Sequence, residues 1–459
     1  MFPPHSASLP LLILLAHTFT RASASSQYCS LKPPRSGSSS SSPARGVTDV
    51  STDVIASAWY PGWLAADFPP SSISWSKYNA MTFSFATTTP DVSTIALDDI
   101  SEQTLPQFVS AAQENGVSAL LSIGGWTGSM YYSTAVATAE NRSAFVNAVL
   151  DLVTKYNLDG IDFDWEYPGK TGLSCNVVNP DDSANFLQFL QELRNQPAGK
   201  NLILTAAVGI EPFVGSSGQP MNDVSQFATV LDRIAIMNYD VWGSWSATVG
   251  PNAPLDDSCA PSSDQAGSAV SAVAAWTAAN FPANQESLLR IYNINILSEI
   301  TLGLAAYGHS FRVTPTAALQ RGNSTAIAPY PNFDASAQPA GSADTPGDTS
   351  SDPCGDSNGV SGIFTFAGLI SSGFLNLNGS AATGIDYVFD SCSQTPFVYN
   401  QTSQVMVSYD DAASFAAKGK FINAEGLLGF AVWDVTGDQN DILLDSLHEA
   451  MGIQAVCDS

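Results

Sequence analysis

From Val54 onward, short runs of consecutive apolar residues alternate with longer stretches whose apolar positions recur every three or four residues. The short runs read as buried strands. They are VIASAWY (54–60), AMTFSFA (80–86), ALLSIGG (119–125), GIDFDWE (160–166), ILTAAVG (203–209), RIAIMNYD (233–240), ITLGLAAYG (300–308) and LLGFAVWDV (427–435). The longer stretches predict helices between them, among others over 141–158, 183–196 and 267–281, with 441–452 after the eighth run. Eight β-then-α units with near-continuous apolar strands predict an α/β fold, a closed (β/α)8 TIM barrel. The competing open, doubly wound sheet usually carries a Gly-rich phosphate loop after its first strand; here WYPGW stands in that place.

Two stretches break the rhythm. Residues 313–405 are too many for a connecting loop. They are rich in Gly, Pro, Asp and Ser near 328–362 and strand-like at GIDYVFD and QVMVSYD, which predicts a small α+β domain inserted between strand 7 and the last part of the barrel. RIYNINILSE (290–299) delays strand seven, without a functional reason visible in the sequence. The barrel is then expected over 51–312 and 406–459. At the N-terminus, LPLLILLA (Leu9–Ala16) and ASA (Ala22–Ala24) resemble the core and cleavage site of a signal peptide, assigned to 1–24. A Ser/Pro-rich linker over 25–50 follows.

Export, with an extracellular location, fits six cysteines, an even number that suggests disulfides, and four N-x-S/T sequons at Asn141, Asn323, Asn378 and Asn400. With 16 basic against 42 acidic residues, the net charge of −26 argues against nucleic acid or an anionic membrane as partner. It leaves a neutral ligand open. A monomer is expected. Only four His occur, two of them in the signal, and no G-x-S-x-G is present. Neither a metal, a cofactor nor a serine-esterase site is therefore expected. His309, alone after strand seven, reads more readily as structural than as a site residue.

The fourth run, LDGIDFDWEYPG, gathers four acidic residues. With period-two alternation, Asp162, Asp164 and Glu166 share one face, and Ile161, Phe163 and Trp165 the other. The apolar set packs under the helices. The acidic set points into the barrel and climbs toward the C-terminal rim, where such barrels carry their active sites. Asp159 has the wrong parity and reads as structural. Neighbours two apart lie roughly 6.6 Å apart, so their titrations couple, and one tends to hold a proton while its neighbour is ionised. A general acid near neutral pH requires this. Glu166, nearest the rim, is the candidate acid, with Asp164 supporting it from below. A metal site or a solvated edge is the alternative; the clean alternation with Ile, Phe and Trp favours catalysis.

DGIDFDWE matches the D-x-x-D-x-D-x-E signature of glycoside hydrolase family 18 chitinases. LLSIGGW (120–126), MNYD (237–240), LGLAAYGHSF (302–311) and GFAVWD (429–434) resemble its other strands, and FDSCSQTPFVYN and MVSYDD its α+β insertion. The resemblance covers roughly 52–452 and looks like a secreted fungal-type chitinase. It implies hydrolysis of β-1,4-linked N-acetylglucosamine polymers with retention, by substrate assistance through an oxazolinium ion. Glu166 is then the acid, Asp164 turns to the acetamido N–H and shares a proton with Asp162, and Tyr239 donates to the acetamido oxygen. Asp240, Met237, Gly125 and Trp126 fall on the matching motifs as substrate-binding positions, and Trp433 floors the subsite of the distorted sugar. Tyr60 and Phe85, at the tips of strands one and two, are expected to line the cleft. Trp59, Trp63, Trp242 and Trp245 are divided between site and core; Trp165 and Trp276 belong to the core. Ser122 and Gly124 leave room for Asp162. A chitin-oligosaccharide-binding lectin on the same barrel, or an endo-N-acetylglucosaminidase of N-glycan cores, are the alternative functions. The loop positions pair Cys175 with Cys259, Cys354 with Cys392, and Cys29 with Cys457.

Overall fold

The computed structural model describes residues 29–32, 54–282 and 298–457, apart from 320–325, 329, 348, 349 and 358. The expected signal peptide, most of the linker, Asn323 and residues 290–297 lie outside the described residues.

Seven parallel strands come first: β1 (Ile55–Pro61), β2 (Ala80–Thr88), β3 (Ser118–Gly124), β4 (Gly160–Asp164), β5 (Ile203–Val208), β6 (Arg233–Ile236) and β7 (Ile300–Ala305). The chain then builds an antiparallel sheet from β8 (Tyr307–Arg312), β9 (Ile363–Thr365), β10 (Asp386–Asp390), β11 (Thr395–Asn400) and β12 (Val405–Ser408), in the order β9-β8-β12-β11-β10. It returns as β13 (Gly429–Trp433), which pairs in parallel with both β7 and β1, while β1 pairs with β2. The eight parallel strands are thereby closed into a (β/α)8 barrel carrying an inserted domain.

The outer layer follows from strand parity. Ile161, Phe163 and Trp165 face the helices, and the Phe163 ring meets Phe186 and Phe189 edge-on. Helices α1 (Asp99–Glu114), α2 (Ala139–Tyr156), α3 (Asp182–Asn195), α4 (Ala269–Ala278), α5 (Ala412–Glu425) and α6 (Ile442–Met451) surround the barrel. Their starts are written locally. Asp98 accepts the N–H groups of Ile100 and Ser101, and Thr138 that of Asn141. Asp159 accepts the Ala119 N–H, the structural role its parity suggests.

Two expectations change. The apolar run 300–308 is not one strand: β7 stops at Ala305, and Tyr307 opens the insertion sheet, which extends to Ser408. A continuous apolar pattern cannot mark that switch, because both sheets bury these positions. The disulfides also differ. Cys175 bonds Cys354, and Cys259 bonds Cys392, with Cα–Cα distances of 5.5 and 5.7 Å. Pairing within each body fails because the insertion reaches over the rim, so each barrel loop meets an insertion segment before it meets the other loop. At the termini, Cys29–Lys32 pairs antiparallel with Gln454–Cys457, with Cys29 opposite Cys457; their side chains lie outside the described residues.

Candidate active site

The barrel interior is polar where such interiors are usually filled by branched aliphatics. Asp162 lies deepest in the acidic row. Its Oδ2 accepts from Trp59 Nε1 (3.1 Å) and Ser122 Oγ (2.8 Å), and its Oδ1 from Thr205 Oγ1 (2.5 Å). Three donors on two oxygens is the surrounding of a carboxylate, and it leaves neither oxygen uncommitted. Trp59 is thus settled as an interior residue of the site. Its neighbour Tyr60, expected in the cleft, faces outward: it is fully buried against Phe83 and Phe108, and its hydroxyl donates to Phe68 O. Parity decides this, since only one of two consecutive residues can face inward.

Asp164 follows one step up, also buried, with an Oδ1 that finds no partner. Burial, then the charges of Glu166 and Asp162, push its proton affinity well above the ordinary carboxyl value. Gly124 is required beside it, with φ at +112° and a Cβ position only 2.1 Å from Asp164 O. Glu166, at the rim, is partly exposed. Burial raises its pKa to about 7; the Tyr167 hydroxyl opposes this and the charge of Asp240 adds to it. Its backbone is clamped from both sides: Glu166 N–H donates to Ser129 Oγ (3.0 Å), and Asn176 Nδ2 donates to Glu166 O (3.0 Å). Asn176 adjoins Cys175, so the loop after the acid is anchored to the insertion.

The cleft above this row holds about 400 Å³ and is lined by Trp63, Phe85, Trp126, Asp164, Glu166, Tyr239, Asp240 and Trp433. Phe85 stacks on Trp433 at 5.5 Å, and Trp63 stacks on Phe85 at 6.0 Å. These form an aromatic wall with Trp63 and Trp126 roughly half exposed. Gly125 sits beneath it: a Cβ there would meet the Phe85 ring at 2.9 Å, so its part is to seat Phe85. Met237 packs with Trp59 and Trp433, and lines an adjoining cavity of about 220 Å³ with Tyr167, Tyr239 and Asp240. Trp245 is exposed and lies edge-on to His309, whereas Trp242 is buried against Tyr330. Trp165 and Trp276 are buried, as expected.

Burial, and then the charges of Asp164, Asp240 and Glu166, push the proton affinity of the Tyr239 hydroxyl well above its ordinary value. Asp240, in the left-handed region (φ 54°), takes its Oδ1 to Tyr307 OH (2.8 Å) and His309 Nε2 (2.7 Å). His309 is therefore tied to the cleft rather than being merely structural. Sequence reasoning missed Thr205, Ser129, Asn176, Tyr167 and Tyr307. Ser129, Asn176 and Thr205 lie outside every recognisable motif, and their hydroxyls and amides are common surface chemistry.

Comparison with known proteins decides the family. The model of glycosyl hydrolases family 18 matches residues 57–438. The chain belongs to glycosyl hydrolase family 18. It is a glycoside hydrolase. Two fungal relatives of this family-18 chain are named chitinase-like effectors. That of Moniliophthora roreri is 48% identical over 87% of this chain and 93% of its own length. That of Moniliophthora perniciosa is 43% identical over 99% and 100%. Among solved structures, a chitinase from Rhizomucor miehei superposes with a TM-score of 0.73 at 30% identity, over 86% of this chain and 99% of its own. Among the described residues, no helix is long and apolar enough to cross a membrane.

Proposed function

We propose that this family-18 hydrolase is an exported chitinase that cleaves β-1,4-linked N-acetylglucosamine chains with retention, using the substrate's own acetamido group as nucleophile. Glu166 gives its proton to the glycosidic oxygen. The acetamido carbonyl oxygen of the sugar bonds to the anomeric carbon as the glycosidic bond breaks, leaving an oxazolinium ion. Glu166, now a carboxylate, takes a proton from water, whose oxygen opens the ring from the face the leaving group left. Asp164 passes its proton down to Asp162 and so bears the negative charge that faces the cationic ring, and Tyr239 donates to the acetamido oxygen. Trp433, with Phe85 and Trp63, offers aromatic faces to the apolar faces of pyranose rings.

The observation that carries this reading is the gradient along one strand: a donor-caged carboxylate at Asp162, an unpartnered buried carboxyl at Asp164, and a rim acid at Glu166 whose pKa is about 7. The two disulfides support export to an oxidising compartment. The names of the two Moniliophthora relatives favour a second reading, a sugar-binding lectin. Here the acid is present, which favours turnover.

Time-resolved products from chitohexaose, read by proton NMR before mutarotation, test both readings. The first product is expected as the β-anomer. An α-anomer would rule out the oxazolinium route, binding without turnover would establish the lectin, and cleavage only of N-glycan cores would reassign the substrate. The pH profile adds an independent check. A general acid must be protonated, so a pKa raised to about 7 keeps activity at lower pH and removes it as pH rises through about 7. The alkaline limb of kcat/KM is expected there; a limb near 4.5 would reject Glu166 as the acid.

A further inference from the structure

Arg233 opens β6 and is almost completely buried. Two residues on, Ala235 packs inside the barrel with Trp59, Ala207 and Ala431, so strand parity turns Arg233 inward as well. The ladders register Ser122 opposite Asp162, Asp162 opposite Thr205, and Thr205 opposite Arg233. One row across four strands therefore carries a hydroxyl, a carboxylate, a second hydroxyl and a guanidinium. Adjacent strands lie about 4.8 Å apart, so the backbones of Arg233 and Asp162 are roughly 10 Å apart, a span that an arginine side chain shortens considerably.

No step of the proposed reaction uses this cation. A buried guanidinium is costly unless its charge is answered. The hydrogen bonds of Asp162 come from Trp59, Ser122 and Thr205, none from Arg233, so the two act on each other through space. Burial weakens the hold of Arg233 on its proton; Asp162 first, and Asp232 after it, restore that hold. Asp162 in turn adds to what keeps a proton on Asp164, after burial and Glu166. Other titratable groups around the pair are Tyr132, which feels both Asp164 and Asp162, and, toward the rim, Glu166 and Tyr239.

We propose that Arg233 is a positioning residue for the proton of the acidic row: its interior positive charge holds the row's negative charge at Asp162, leaving the transferable proton with Asp164 and Glu166. Arg233 touches no substrate. It acts at the floor of the barrel, one layer below the chemistry, and sets how many protons the row carries at a given pH. This inference rests on the assignment of Glu166 as acid, and its test has a readout that does not depend on turnover.

The pH profile of kcat/KM is measured for the full chain carrying Arg233→Met, Arg233→Gln or Arg233→Lys. Loss of a nearby buried cation makes every carboxyl of the row harder to ionise, so profile limbs move to higher pH. With either neutral residue, the acid limb is expected to rise by about one pH unit, and the alkaline limb by less. Lysine keeps the charge and is expected to keep the limbs. A merely structural arginine would lower activity evenly with unmoved limbs, and that result overturns the proposal. The indole N–H NMR signal of Trp59, which donates to Asp162, supplies the second readout. Its pH-dependent midpoint is expected to rise in the neutral variants and stay put in Arg233→Lys; identical midpoints in all of them would also overturn it. Movement of the Trp59 signal in a chain without chitinase activity would sustain the role of Arg233 while rejecting that of Glu166.

Discussion

Replacing Glu166 by glutamine removes hydrolysis, with kcat expected to fall by about 10³-fold or more, while the fold and chitooligosaccharide binding persist. General acid catalysis by a positioned side chain is worth roughly 10²–10⁴-fold, and in the proposed reaction one carboxyl serves twice, first giving and then taking a proton. Glutamine has the same shape, and the surroundings of Glu166 suit a neutral group. Burial already favours its protonated form, with Asp240 adding to this. The clamps on its backbone from Ser129 and Asn176 do not involve the side chain. Calorimetric binding of chitohexaose at wild-type strength, together with absent turnover, is the expected pair of results. Turnover within tenfold of wild type would remove Glu166 from the mechanism.

Asp164→Asn is expected to cost about 10²–10³-fold in kcat with little change in KM. The reason is electrostatic. In the proposed reaction a cationic ring forms in the first half, above the buried Asp164, and a carboxylate aimed at developing charge there is worth several kcal/mol. Asparagine cannot become negative. Because burial, then the charges of Glu166 and Asp162, already favour the protonated form of Asp164, the substitution removes little from the resting protein. Its thermal midpoint should therefore stay within a few degrees of wild type, measured by circular dichroism beside the rate. A loss in KM instead of kcat would make Asp164 a binding residue. An unchanged rate would remove charge stabilisation by this group altogether.

Much of this site was legible before any coordinates. Period-two alternation through Gly160–Glu166 placed three carboxyls on one face and three large apolar side chains on the other, and the barrel keeps that division. The same rule, applied at Tyr60, would have excluded it: Trp59 and Tyr60 cannot both face inward, and it is Trp59 that reaches Asp162. A place at a strand tip does not by itself put a side chain in the cleft; parity decides which of two neighbours points inward. Trp126 and Trp433 line the cleft as their motifs imply. One histidine beside a strand carries no sign of the Asp240 carboxylate that meets His309, 69 residues away in the chain.

The amino-acid order by itself determined the eight strands, the inward face of the fourth, the presence of an insertion and the family, because periodicity and local spacing are set by neighbours in the chain. Only the tertiary structure decided which groups converge. Barrel closure puts Trp59, Ser122 and Thr205 around one carboxylate and lines Arg233 up with it. The insertion's approach to the rim decides that Cys175 meets Cys354 and that Tyr307 and His309 meet Asp240. Such meetings depend on strand register and domain docking, which are settled by the packing of segments from 40 to 179 residues apart in the chain. No local pattern encodes that distance.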